Sequence, residues 1–131
     1  MSQRDMAARA LDGILKMRDD GERNKKFKTL CMKTPAMLAQ SGLAQTVTFL
    51  RAREVRQGIG ETFTEHLVRV LGNKEIRSAQ ELQKCAITSD LAEYMELSVS
   101  VSHALLWMRR FAQVEMAKID MVEVRGDENH G

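Results

Sequence analysis

Residues 90–119 read DLAEYMELSVSVSHALLWMRRFAQVEMAKI. Leu91, Tyr94, Ser98, Val101, Leu105, Met108, Ala112 and Ile119 recur along this stretch in steps of three and four, the spacing of one face of an α-helix. Asp90 or Ser89 supplies an N-cap. About thirty helical residues would make a rod roughly 45 Å long. One portion argues for a strand: Leu97-Ser98-Val99-Ser100-Val101-Ser102 alternates with period two. Helical periodicity flanks it on both sides and no turn residue bounds it, so it reads as a low-propensity part of the helix. Its serines allow a neighbouring helix to approach closely. Leu105, Trp107, Met108 and Phe111 crowd one turn and are expected to anchor the bundle.

Working outward, neither Gly nor Pro occurs between Gly72 and Gly126, which excludes a chain of short strands with frequent turns. Ser78-Ala79-Gln80-Glu81 is a capping box opening a short helix that runs to about Ala86. Phe63, Leu67, Val70 and Leu71 mark another helix, stopped by Gly72, with a loop at Gly58-Ile59-Gly60 before it. Nearer the start, Ala7, Ala10, Leu11, Ile14 and Met17 predict a helix from Ser2 to Asp19, closed by Asp20-Gly21. Phe27, Leu30, Cys31, Thr34 and Leu38 share one side of the next. Pro35 interrupts that segment, and the spacing predicts a break or kink there with Thr34 able to serve as N-cap. Ser41-Gly42 ends the piece, and a further helix from Leu43 to Arg56 buries Leu43, Val47 and Leu50. The expected fold is all-α: a compact bundle of about five to six helices with one long C-terminal helix, a single domain over residues 1–124 and a disordered polar tail over 125–131.

At 131 residues, 44% hydrophobic and 29% charged, the chain is long enough to bury a core without metals or disulfides. No run approaches the ~18 apolar residues of a membrane span. The opening MSQRDMAARA has no apolar signal-peptide region. Cys31 and Cys85 follow neither a redox nor a zinc spacing and are read as buried, reduced thiols. A cytoplasmic protein without membrane partners is expected.

Catalysis needs a constellation, and none assembles. His66, His103 and His130 form no metal-binding spacing. There is no nucleophile elbow, phosphate-binding loop or dinucleotide fingerprint. No cofactor or metal is expected, and His66 is read as a half-buried helix residue.

Charge is distributed unevenly. The net charge is +2, yet between Arg23 and Arg56 eight basic residues face one acid, Glu54, a local +7 that leaves −5 on the remainder. Such asymmetry bears on association rather than fold. The candidate contact residues for a nucleic acid or partner are Lys33, Arg51, Arg53 and Arg56, with Lys25, Lys26 and Lys28 secondary. Gln45, Phe49, Arg53 and Arg56 lie nearly opposite the Leu43/Val47/Leu50 stripe. There Phe49 either widens the core or joins the arginines in a contact surface. A DNA-reading helix-turn-helix around Gly42 is disfavoured, because Ser41, Thr48 and Arg51 are polar where that motif requires core.

The run Lys33-Thr-Pro35-Ala-Met-Leu38-Ala-Gln40-Ser-Gly42-Leu43-Ala-Gln45-Thr-Val-Thr-Phe49 closely resembles the K-x-P-x-x-(L/V)-x-Q-x-G-L-x-Q-x-x-x-F core of the Cmr small subunits, the fifth-numbered Cmr proteins of type III-B CRISPR effector complexes. Trp107-Met-Arg-Arg110-Phe111-Ala112 is similar to that family's W-x-x-R-F-A block, and Gln3, Ala7, Ala8 and Ala10 match its opening weakly. The resemblance implies a non-catalytic all-α subunit. Its copies would stack along a ribonucleoprotein, beside the other Cmr subunits, guide RNA and captured target RNA. The alternatives are the small subunit of the related type III-A complex and a DNA-binding helical regulator.

Overall fold

A computed structural model describes residues 3–18, 22–57 and 60–116. Five helices form the bundle: α1 (Gln3–Arg18), α2 (Glu22–Gln57), α3 (Gly60–Leu71), α4 (Ala79–Thr88) and α5 (Leu91–Glu115). No strand occurs among the described residues. The expected tail and the contribution of Ile119 lie outside them. α5 packs against α1 and α2, and α3 lies against α2 and α1, with α4 bridging α2 and α3. The core runs through all five helices, from Met6 and Ile14 on α1, through Phe27, Leu43 and Leu50 on α2, to Leu105 and Met108 on α5.

The strand-like 97–102 segment is helical throughout. Leu97 and Val101 face the core, whereas Val99 is 55% exposed, so the period-two pattern is overridden by the helical one around it. Asp90 is the N-cap, its carboxylate accepting from Glu93 N–H at 2.9 Å. α4 opens with half of a capping box. Ser78 Oγ accepts from Glu81 N–H at 3.1 Å, while the Glu81 carboxylate accepts from Arg77 N–H instead of from Ser78.

The expected break at Pro35 does not occur. α2 continues through Pro35, and its non-helical residue is Gly42, with φ 82° and ψ 169°. Proline inside a helix removes one N–H and crowds the preceding turn, costing about 3 kcal/mol. Here Phe27, Leu30 and Cys31 before it and Leu38 after it are all buried, and burial of that shared face offsets the cost. Thr34 is accordingly not a cap. It is fully buried and its Oγ1 has no hydrogen-bond partner among the described residues. Thr34→Val, which keeps the shape and deletes that hydroxyl, should therefore raise stability by about 1 kcal/mol, read from the urea midpoint.

Phe27 meets Phe63 at 5.5 Å between ring centroids and His66 edge-on at 5.0 Å. A Cβ on Gly13 would come within 2.8 Å of His66 Nδ1, so the glycine makes room for the imidazole between α1 and α3. Burial pushes the His66 pKa down, and the charges of Arg69 and Lys16 add to this against an opposing Asp12. The unfolded chain, titrating near pH 6.5, then binds more protons than the folded one between the lowered pKa and about 6.5. Stability should fall as pH drops through that window. Denaturant midpoints measured from about pH 7.5 to about pH 5 should show this loss in the wild type and less of it in His66→Gln.

Leu105 and Met108 are fully buried, while Trp107 and Phe111 are partly buried against the core. The two rings stack at 5.7 Å, and Trp107 Nε1–H donates to Gln3 Oε1 at 2.8 Å. Gln3 Nε2 also lies 2.7 Å from His103 Nδ1. One amide thus fastens the start of α1 to α5. Cys31 is buried and Cys85 only half-buried; both are free thiols.

Candidate nucleic-acid interface

α2 carries all seven candidate contact residues, and its kink is what sets the direction of their two groups. A backbone at φ 82° and ψ 169° is open to glycine and strained for any residue with a Cβ. Beyond Gly42 the second limb starts with unsatisfied amides. Tyr94 of α5 supplies the missing acceptor, its hydroxyl oxygen taking the Ala44 N–H at 3.3 Å. The same oxygen would lie 3.3 Å from a Cβ at position 42. Tyr94 is a helix cap contributed by another helix, and its sequence position, inside an apolar stripe, gave no sign of that role.

On the first limb Lys25, Lys26 and Lys33 are exposed. Lys26 and Lys33 are seven residues apart, two turns along one flank, or about 10 Å. Lys28 departs from expectation. At 7% exposed it is buried, because one step of about 100° from Phe27 leaves it on the edge of the core face, where a lysine stem is covered by its neighbours.

The second limb splits its arginines. Arg51 and Arg53, two residues apart, project about 200° apart around the helix. Arg51 turns toward α4 and donates to Gln83 Oε1 at 3.3 Å, while Gln83 Nε2 donates to Thr48 Oγ1 at 3.2 Å. Arg51 is thus a tie between helices. Arg53 is half-exposed beside Phe49 and Gln45, both exposed. Phe49, at 42% exposure, does not widen the core. The Arg56 side chain lies outside the described residues.

What the structure brings together is an outer face of α2 with an uncovered aromatic ring, an amide and a guanidinium, preceded by a lysine-bearing limb. Such a surface binds by charge, hydrogen bonding and stacking. No group of three or more metal-ligating side chains occurs among the described residues. No described helix is long and apolar enough to cross a membrane.

Residues 2–115 match the family described as CRISPR-associated protein (Cas_Cmr5). The chain belongs to the Cmr5 family. A curated relative, the CRISPR system Cmr subunit Cmr5 of Thermus thermophilus, is 32% identical over 95 residues, covering 71% of this chain and 77% of the relative. The X-ray crystal structure of a CRISPR-associated Cmr5 family protein from Thermus thermophilus superimposes with a TM-score of 0.76 at 26% identity, covering 86% of this chain and 96% of that one. The two sequence blocks that resemble the Cmr small subunits have physical counterparts in this Cmr5 chain. The Gly42 motif is the kink that Tyr94 caps. In the Trp107 block, Trp107 is latched to Gln3 with Arg110 5.5 Å over its ring.

Proposed function

We propose that the chain is a non-catalytic structural subunit of a type III-B (Cmr) RNA-guided interference complex in the cytoplasm. Several copies stack along the ribonucleoprotein backbone, in contact with the other Cmr subunits, and α2 presents its basic outer face to the guide–target RNA duplex. Membership of the Cmr5 family supports the assembly. The observation that carries the RNA-facing role is the exposure of Phe49 between Gln45 and Arg53, on the side of α2 away from its buried stripe. An exposed ring beside a guanidinium offers a stacking surface and a cation to a strand of RNA. The type III-A alternative is disfavoured because both the family match and the curated relative are Cmr proteins. A helix-turn-helix regulator is disfavoured because the two limbs of α2 meet at one residue, without the three- to four-residue turn of that motif.

Affinity purification of the tagged full chain from its own cells tests the assembly. Other Cmr subunits and a population of short guide RNAs should co-purify in fixed proportion. Recovery of the chain with duplex DNA and without Cmr subunits would refute the proposal.

A further inference from the structure

A second cationic surface lies at the elbow between α3 and α4, outside the basic segment of α2. Here a cavity of about 490 Å³ is lined by Arg69 from the last turn of α3 and by Lys74 and Arg77 from the link that follows. Among the described residues, Glu65 is the one carboxylate in its wall. All three cations are exposed, and none has an ion-pair partner among the described residues. Lys16 and Arg18, by contrast, pair with Asp12 and Glu115.

The link is held in shape by its own bonds. Gly72 turns the chain at φ 62°. Asn73 Oδ1 then accepts from Glu75 N–H at 2.8 Å and Asn73 O from Ile76 N–H at 3.3 Å. Ile76, 4% exposed, pins the middle of the link to the core. Arg77 Nε–H donates to Lys74 O at 3.2 Å, and Arg77 N–H to the Glu81 carboxylate at 3.3 Å. The cationic groups are therefore displayed around the cavity by a folded link, which reduces the ordering cost of binding.

We infer that the cavity formed by Arg69, Lys74 and Arg77 at the α3–α4 elbow is a phosphate-binding site for a single RNA strand, separate from the α2 face. This rests on the proposed RNA-guided function. Two guanidinium forks and an ammonium match the oxygens of a phosphodiester, and the cavity has the volume of a small-ligand site, within roughly 300–1,000 Å³. Its apolar lining consists of Val68 and Ile76, both buried, and no aromatic ring among the described residues takes part. Nothing there stacks on a base, so the site holds backbone and ignores sequence.

The test uses the full chain and a fluorescent decauridylate, followed by anisotropy from low salt (about 50 mM) upward. Arg69→Gln/Lys74→Gln/Arg77→Gln should weaken binding roughly tenfold at low salt and reduce the log–log salt slope by about 2. Thermal melting should change little, because the three residues are exposed and only the exposed Arg77 Nε–Lys74 O bond is lost. Should the triple variant fold poorly, Arg69→Gln/Lys74→Gln leaves the Arg77 bonds in place and should show a smaller loss in the same direction. Equal binding by wild type and variant, or no binding by wild type, overturns the site. Displacement of the RNA by decaglutamate at equal concentration also overturns it, and assigns the cavity to an acidic protein segment. The proposed function is judged separately, by co-purification and by variants on α2, so either reading can fall while the other stands.

Discussion

Gly42→Ala should destabilise the protein by about 3 kcal/mol, a large fraction of the roughly 5–15 kcal/mol by which globular proteins are stable. Gly42 has φ 82° and ψ 169°, a region that L-residues reach only under strain of about 1–3 kcal/mol. The new methyl would also press on the Tyr94 hydroxyl, 3.3 Å away, and that hydroxyl caps the Ala44 amide. Displacing it adds the loss of a cap, worth about 1 kcal/mol. Tyr94→Phe, which keeps the ring and removes only the acceptor, isolates this second part and should cost about 1 kcal/mol. Ser41→Ala, at an exposed neighbour with helical geometry, should be close to neutral. Urea denaturation of the four proteins measures the set. A Gly42→Ala variant as stable as wild type would mean that the kink follows from packing around α2 rather than from the residue at its apex.

The same residue shows how far the sequence could be read. Periodicity located every helix, because apolar steps of three and four persist wherever one face is buried; α5 was legible despite its serine-valine alternation for that reason. Two interruptions were expected in α2, at Pro35 and at Ser41-Gly42, and only the second is found, at Gly42. Buried residues flank Pro35 on both sides where the helix continues, while Tyr94, fifty positions from Ala44, supports the bend at Gly42. Counting charge along the chain found the basic segment without its faces. Lys28 turns to the core edge and Arg51 turns to Gln83, whereas Lys25, Lys26 and Lys33 stay outward. Counting by segment also concealed Arg69, Lys74 and Arg77, which lie in a region whose overall charge is negative and come together only through the fold of the α3–α4 link.

Charge reversal at Arg53 and Arg56 of α2 is the corresponding functional experiment. Arg53→Glu with Arg56→Glu should lower retention of target RNA by the assembled complex about tenfold or more at low salt, and less at high salt. On the proposed role, each reversal removes a cation from the RNA-facing surface and installs a charge that repels phosphate, so the salt slope should become shallower as affinity falls. Arg53 stands half-exposed beside the uncovered Phe49, and surface changes of this kind leave stability within about 0.5 kcal/mol. Thermal melting and assembly should therefore match wild type, and cleavage of target that does bind should proceed normally. Arg51→Gln is the contrasting variant. Its partner is Gln83, so it should alter α2–α4 packing slightly and leave the salt slope unchanged. If the double reversal keeps full target affinity and slope but reduces the number of copies in the complex, the Phe49–Arg53 face packs against a protein subunit, and the RNA must be held elsewhere.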